Sequence, residues 1–310
     1  MIKKTLYFGN PIYLSLRYNQ LVLRLPEVAK NDSVPESFKK EFERTIPVED
    51  IGIVVLDNRR ITITTGAMEA LLNNNCAVIT CDSKSMPIGL FLPLSGNTLQ
   101  NERFRDQINA SIPLKKQLWQ QTVRQKILNQ AKVLEMQNGC IAKNMLAWAN
   151  DVRSGDAENL EARAAAYYWK KVFPEIPDFV RGREEEPPNN LLNYGYAILR
   201  ACVARGLVGS GLLPTLGIHH HNKYNAYCLA DDIMEPYRPF VDKLVIDIMQ
   251  KYDDIKDLNL DMKADLLQIP TLDVKIEGKK SPLMIGVGTT TASLYKCFKG
   301  ENRKILYPDM

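Results

Sequence analysis

Through the first ninety-odd residues, apolar side chains come in short bursts separated by polar and turn-forming residues, which is the rhythm of strands. Tyr13–Arg17 and residues 21–25 flank the turn Tyr18-Asn19-Gln20, while Ile51–Leu56, the polar Asp57-Asn58-Arg59-Arg60 and residues 61–64 read as a second hairpin. A short helix over 67–72 separates these from strands at 77–80 and 89–92. Antiparallel β structure is the expectation. The polar stretch 28–44, which contains Pro35, reads as a loop or insertion.

Beyond Leu94 the period changes. Ser111 caps a helix with Pro113 in its first turn, and Leu114, Leu118, Trp119, Val123, Ile127, Leu128, Ala131 and Leu134 recur at threes and fours until Gly139. Further helices are expected at 161–173, 190–205 and 225–250, with Glu184-Glu185-Glu186-Pro187-Pro188 as an exposed connection. The breakers Pro93, Ser95, Gly96 and Asn97 divide the chain into a strand domain, 1–94, and a helical domain, 95–310. The fold class expected is therefore α+β: an N-terminal antiparallel β-sandwich-like domain followed by a larger all-α domain.

With 310 residues, 45% hydrophobic and 25% charged, the chain can bury a core and is neither disordered nor fibrous. No apolar run is long enough for a membrane span or a signal peptide, so a cytoplasmic protein without a membrane partner is expected. Cys76, Cys81, Cys140, Cys202, Cys228 and Cys297 form no CxxC pair, which excludes a zinc ribbon and predicts reduced thiols. The net charge of +4 is unevenly spread: residues 98–150 hold 8 basic and 3 acidic side chains, residues 151–274 hold 14 and 20. An acidic centre flanked by basic segments suits a metal-dependent enzyme acting on a polyanion, although ordinary fluctuation produces such contrasts too. Lys115, Lys116, Arg124, Lys126 and Lys132 on the long helix either track a phosphate backbone or form a solvated face.

All three histidines are consecutive, His219, His220 and His221, and stand just before a segment holding Asp231, Asp232 and Glu235. Imidazole is the commonest metal ligand, so the loop is a candidate metal site; a surface tract with incidental metal affinity is the alternative. Asp231 and Glu235 are four apart and Asp232 and Glu235 three apart, so two carboxylates share one helical face within reach of one ion. Leu229, Ile233, Met234 and Tyr237 place that segment against a core, where acidic groups need a partner. A third carboxylate, Glu161, opens a helix, but helix N-termini favour carboxylates without any metal.

Four motifs in order carry a resemblance: Asn159-Leu160-Glu161-Ala162-Arg163, Leu191-Leu192-Asn193-Tyr194-Gly195-Tyr196, Gly217-Ile218-His219-His220, and Leu229-Ala230-Asp231-Asp232-Ile233-Met234-Glu235-Pro236-Tyr237-Arg238-Pro239. Together they resemble the CRISPR-associated endonuclease that integrates new spacers, the universal integrase subunit of CRISPR adaptation. The stretch 46–55 is similar to that family's β domain, and 284–294 to the C-terminal part of its type II subfamily. The resemblance implies metal ligands at Glu161, at His220 as the histidine ending the Gly-x-x-His turn, and at Glu235. His219 and His221 blur the histidine register by one, and Asp232 and His219 are candidate accessory groups.

Two carboxylates and an imidazole suit Mg²⁺ or Mn²⁺ better than structural zinc. Such an ion would polarise a phosphate oxygen for in-line displacement by water or by a DNA 3′-hydroxyl. What the family adds is the second reaction: a protospacer 3′-OH attacking the repeat boundary of a CRISPR array. It also implies double-stranded DNA as substrate, a homodimer formed through the β domain, a small ferredoxin-like partner subunit, and association with the type II effector nuclease. Two competing readings are a generic metal-dependent DNA repair nuclease without repeat specificity and a non-catalytic helical DNA-binding module.

Overall fold

The computed structural model describes residues 3–29, 35, 41–139, 141–182 and 186–310. Most of the 28–44 loop, Cys140, and Glu184 and Glu185 of the exposed connection lie outside them. The chain divides after Gly96 into two compact units, Met1–Gly96 and Asn97–Met310.

In the first unit, β1 (Lys4–Phe8) and the hairpin of β2 (Tyr13–Arg17) and β3 (Gln20–Arg24) come first. Tyr18 and Asn19 take φ of 49° and 58°, the left-handed pair that a two-residue primed turn requires. Then follow β4 (Arg44–Pro47), β5 (Ile51–Leu56), β6 (Thr62–Ile63), α1 (Thr65–Asn73), β7 (Ala77–Cys81) and β8 (Pro87–Phe91). They form two four-stranded sheets, ordered β1-β5-β7-β8 and β4-β3-β2-β6. Phe8, Val54 and Val78 of one sheet, Leu14 and Leu21 of the other, and Ala67 and Leu71 of α1 share one core.

Two expectations need correction here. Ile51–Leu56 and the strand after it are not a hairpin: β5 pairs in parallel with β1 and β7, while β6 joins the other sheet beside β2, also in parallel. Among the described residues of this unit, antiparallel pairing is confined to β2 with β3, β3 with β4, and β7 with β8. The reason is visible in the burial of β5: Ile51, Ile53, Val54 and Val55 are all at 0% exposure, and a strand apolar at every position is covered on both faces, as central parallel strands are. β1 was not anticipated from the sequence.

The second unit holds α2 (Gln100–Asn109), α3 (Ile112–Asn138), α4 (Lys143–Asp151), α5 (Leu160–Trp169), α6 (Asn189–Gly209), α7 (Cys228–Met234), α8 (Arg238–Lys251), α9 (Leu260–Leu266) and α10 (Leu283–Lys299). It is not all-α, because β9 (Asp273–Ile276) and β10 (Lys279–Pro282) form a hairpin before α10. Ser111 Oγ accepts from Leu114 N at the start of α3, and Gly139 ends it with φ of 67°. The helix expected over 225–250 is broken. A 3₁₀ turn, Glu235–Tyr237, separates α7 from α8, because Pro236 and Pro239 lack the N–H groups that a continuous helix uses. That turn, α4, α5 and α8 all pack on α3, so α3 is the axis on which the candidate site is built. Among the described residues no helix is long and apolar enough to cross a membrane.

Candidate active site

One stripe of α3 is buried from end to end: Trp119, Thr122, Lys126, Asn129 and Val133. The spacing alternates three and four, so these side chains project along a single line. Lys126 therefore points inward, and at 9% exposure it is not the surface residue expected from a basic helix. Its ammonium meets two carboxylates from distant parts of the chain. Nζ lies 2.7 Å from Glu161 Oε1 and 2.5 Å from Glu235 Oε2. Two oxygens around one nitrogen at those distances stand within about 5 Å of each other.

Glu161 is free to do this because another residue caps its helix. Asp156 Oδ1 accepts from Leu160 N at 2.9 Å and Oδ2 from Glu161 N at 3.0 Å, so the helix N-terminus already has its carboxylate. Glu235 is held from the other side. Arg238 Nε donates to Oε1 at 2.8 Å, and Oε2, although in contact with Lys126, accepts no well-aligned hydrogen bond. Burial alone would raise the Glu235 carboxyl; Arg238 and Lys126 outweigh it and hold the group well below the usual carboxylate range. Burial likewise opposes the Lys126 charge, and the two glutamates reverse that effect and raise its ammonium.

The histidine loop is organised by Asp232, which is at 0% exposure. Its Oδ2 accepts from Ile218 N at 2.7 Å and His219 N at 3.0 Å, and its Oδ1 accepts from His220 N at 3.3 Å and meets His220 Nδ1 at 2.5 Å. With Nδ1–H directed at a carboxylate, the neutral ring presents Nε2 as its lone-pair nitrogen. The Asp232 hydrogen bond raises the His220 pKa above its ordinary value, and the fields of Glu235 and Glu161 act in the same direction. Gly217 is sterically required, since a Cβ there would stand 2.4 Å from His220 O and 2.7 Å from Asp232 Oδ2. His219 turns elsewhere: it stacks on the buried Trp119, 4.1 Å between centroids and 1° from parallel. Burial pushes its pKa down.

The structure thus brings Glu161 and Glu235 together and sets His220 in their field. Asp232 is engaged by the loop backbone and His220, and Asp231 lies on Arg200 at 2.6 Å and Asn225 at 2.7 Å rather than beside Glu235. Among the described residues no three His, Cys, Asp or Glu side chains converge closely enough to hold an ion in this arrangement; the glutamates converge on Lys126. The donor set nevertheless fits a hard divalent cation. It offers two carboxylates drawn to one positive charge, an oriented imidazole, and on Glu235 a buried oxygen turned to that charge. Behind the site, Arg238 also covers the Tyr196 ring at 4.5 Å, and Tyr196 and Tyr168 donate to the buried Asp242 at 2.5 and 2.9 Å.

Sequence reasoning missed Lys126, Asp156 and Arg238. The signal for Lys126 was its place seven residues from both Trp119 and Val133, on the helix line that those apolar side chains define.

A family model described as CRISPR associated protein Cas1 matches residues 28–261, a span that includes every one of these side chains. The chain belongs to that family. The CRISPR-associated endonuclease Cas1 of Neisseria meningitidis serogroup C (strain 8013) is 38% identical over 263 residues, covering 84% of this chain and 86% of that protein. Among solved structures, a casposase bound to its integration product matches with a TM-score of 0.77 at 19% identity, over 98% of this chain and 92% of that one. A chain of a Cas6-RT-Cas1–Cas2 complex matches with a TM-score of 0.72 at 18% identity, over 97% of this chain and 35% of the other. At those identities the structural matches establish a shared fold, with strands first and helices after.

Proposed function

We propose that this protein is a divalent-metal-dependent DNA endonuclease and integrase that inserts new spacer DNA into a CRISPR array. The observation that carries the reading is the convergence of Glu161 and Glu235, from different helical elements, on a single buried positive charge beside an oriented His220. Family membership supplies the reaction class; the names of the relatives, an endonuclease and a casposase on its integration product, point the same way.

Glu161, His220 and Glu235 are the residues that would hold Mg²⁺ or Mn²⁺. When bound, such an ion supplies Lewis-acid stabilisation of the charge that develops on a phosphate in an in-line displacement. The side chains supply position. Arg238 fixes one oxygen of Glu235 and leaves the other toward the site, Asp156 spares Glu161 from capping duty, and Asp232 sets the His220 tautomer and ring plane. In strand transfer the 3′-hydroxyl oxygen of the incoming DNA forms a bond to phosphorus at the repeat boundary. The bond from phosphorus to the leaving 3′-oxygen breaks, and that oxygen takes up a proton equivalent to the one released by the attacking hydroxyl. No water is consumed, and no covalent protein intermediate is needed.

Double-stranded DNA, both protospacer and repeat array, is the proposed substrate. The exposed Lys116 and Arg124 and the half-buried Lys115 of α3 are candidates for its phosphates. Assembly is proposed to follow the family: a homodimer through the N-terminal strand unit, a small ferredoxin-like partner, and the type II effector nuclease. The presence of a relative in a complex with Cas2 supports such a partner.

The test is strand transfer of a protospacer carrying free 3′-hydroxyls into plasmid-borne array DNA, with Mg²⁺, with Mn²⁺ and with EDTA. Joining that needs the metal, prefers the array and is lost in Glu161→Gln is the expected result. Metal-dependent cutting without array preference would favour the repair-nuclease reading, and metal-independent behaviour of both proteins would leave only DNA binding.

A further inference from the structure

Two carboxylates whose oxygens lie about 5 Å apart at most repel each other unless positive charge stands between them. Here that charge is a side chain of the protein itself. Lys126 reaches the pair from a helix stripe that is buried before and after it, at Thr122 and Asn129, so its stem is packed. Asn129 is itself fixed, donating to Pro236 O at 2.7 Å in the same 3₁₀ turn that carries Glu235. The two oxygens of Glu235 are divided between two cations, Oε1 to Arg238 and Oε2 to Lys126. Glu161 Oε1 meets the same ammonium.

We infer that Lys126 is a tethered stand-in for the divalent cation: its ammonium holds Glu161 and Glu235 together when no metal is bound, and leaves their oxygens when metal binds. The inference deepens the metal-dependent reading above and rests on it. Magnesium binds carboxylate oxygens at about 2.0–2.1 Å, whereas Nζ stands 2.5 and 2.7 Å from the same atoms. The ion therefore needs the ground that the ammonium occupies, and a unit charge and a double charge cannot share it. Lys126 and Arg238 balance the two glutamates before loading. After exchange the ion adds two positive charges while the ammonium remains nearby on its stem, which gives the site the sign that a phosphodiester requires. Lys126 is thus a positioning residue that trades metal affinity for a preassembled acidic pair.

The experiment is calorimetric titration of the full chain with MnCl₂ at fixed pH, comparing wild type with Lys126→Met, which keeps the length of the stem, and with Lys126→Gln. The expected result is Mn²⁺ binding at least tenfold tighter in the variants, together with a lower melting temperature without metal that Mn²⁺ restores by more degrees than it adds to wild type. A merely structural lysine would lower stability without tightening Mn²⁺ binding, and unchanged or weaker affinity in the folded variants overturns the proposal. Should neither variant fold, the structure of the wild-type chain loaded with Mn²⁺ decides. Nζ withdrawn from both glutamates supports the exchange; an ion bound while Nζ still contacts both oxygens contradicts it. Absence of Mn²⁺ binding by wild type, with an identical null titration for Glu161→Gln, would instead overturn the metal reading itself.

Discussion

Asp232 and Glu235 are three residues apart, both buried and both acidic, yet their charges are used in opposite ways. Asp232 is committed to the fold: three backbone N–H groups and the His220 ring point at it, and these donors belong to the loop whose shape they define. Glu235 is balanced by the side chains of Lys126 and Arg238, and Glu161 by Lys126. A charge satisfied by backbone cannot be given to a ligand without unfolding something, whereas one satisfied by a lysine is released by moving the lysine. On the proposed function, the difference separates a residue that builds the site from residues that would act in it.

The largest effect expected is on activity. Glu161→Gln and Glu235→Gln remove one carboxylate charge each from the pair, and strand transfer should fall by about 10³-fold or more, roughly 4 kcal/mol in barrier, while circular dichroism stays native. An Asp232→Asn variant that matched these losses without any change in melting would break the comparison.

Asp232→Asn should act mainly on stability. An amide keeps one acceptor oxygen but turns N–H donors toward donors, and breaking a buried charged network of this kind costs about 3–5 kcal/mol. Chemical denaturation of the metal-free protein should show that loss.

A third buried carboxyl sharpens the contrast. Burial lifts Asp242 from an ordinary 3.8 to about 6, with the hydroxyls of Tyr196 and Tyr168 pulling the other way. A carboxyl with a raised folded pKa binds its proton more tightly in the native state, so its contribution to stability is greatest below about pH 3.8 and is lost as pH rises through about 6. Relative to wild type, Asp242→Asn should therefore gain stability between pH 4 and pH 7, by at most about 3 kcal/mol. Denaturant melts across that range measure it, and a pH-independent difference would show that Asp242 is ionised throughout.

The smallest effect concerns the neighbouring ring. His219→Ala removes a stacking partner of Trp119, worth about 0.5–1.5 kcal/mol, and should leave metal affinity within a few-fold of wild type. His220→Ala should weaken Mn²⁺ binding much more. The reverse order would move the loop register by one.

How much of this was legible in the sequence follows from the same physics. The cap at Ser111, the stop at Gly139 and the hairpin turn at Tyr18-Asn19 were readable because each is a local backbone requirement. The histidine loop and Glu235 stood out because histidine occurs nowhere else in the chain and because acids beside apolar residues need partners. Parallel pairing of β5 was hidden, since strands distant in sequence choose partners by tertiary packing; its unbroken apolar run was the one clue. Glu161 needed the family resemblance, because its own helix-opening position had an adequate local explanation. Asp156 removes that explanation, and only the folded chain brings it there. Lys126 is hidden among the basic residues of its helix because lysine there is normally solvated, and only its register on the buried stripe sets it apart.

On the proposed function, Glu161, Glu235 and His220 hold a divalent cation that Asp232 only prepares for. Thermal melting of wild type, Glu235→Gln and His220→Ala, with and without saturating Mn²⁺, tests it most directly, because a ligand that binds only the folded state raises its stability by an amount set by its affinity. A clear Mn²⁺-dependent rise in wild type that is absent in Glu235→Gln and much reduced in His220→Ala is the predicted result. Equal rises in all three proteins would contradict the account, placing the metal elsewhere and leaving the acidic pair with its lysine as a structural cluster.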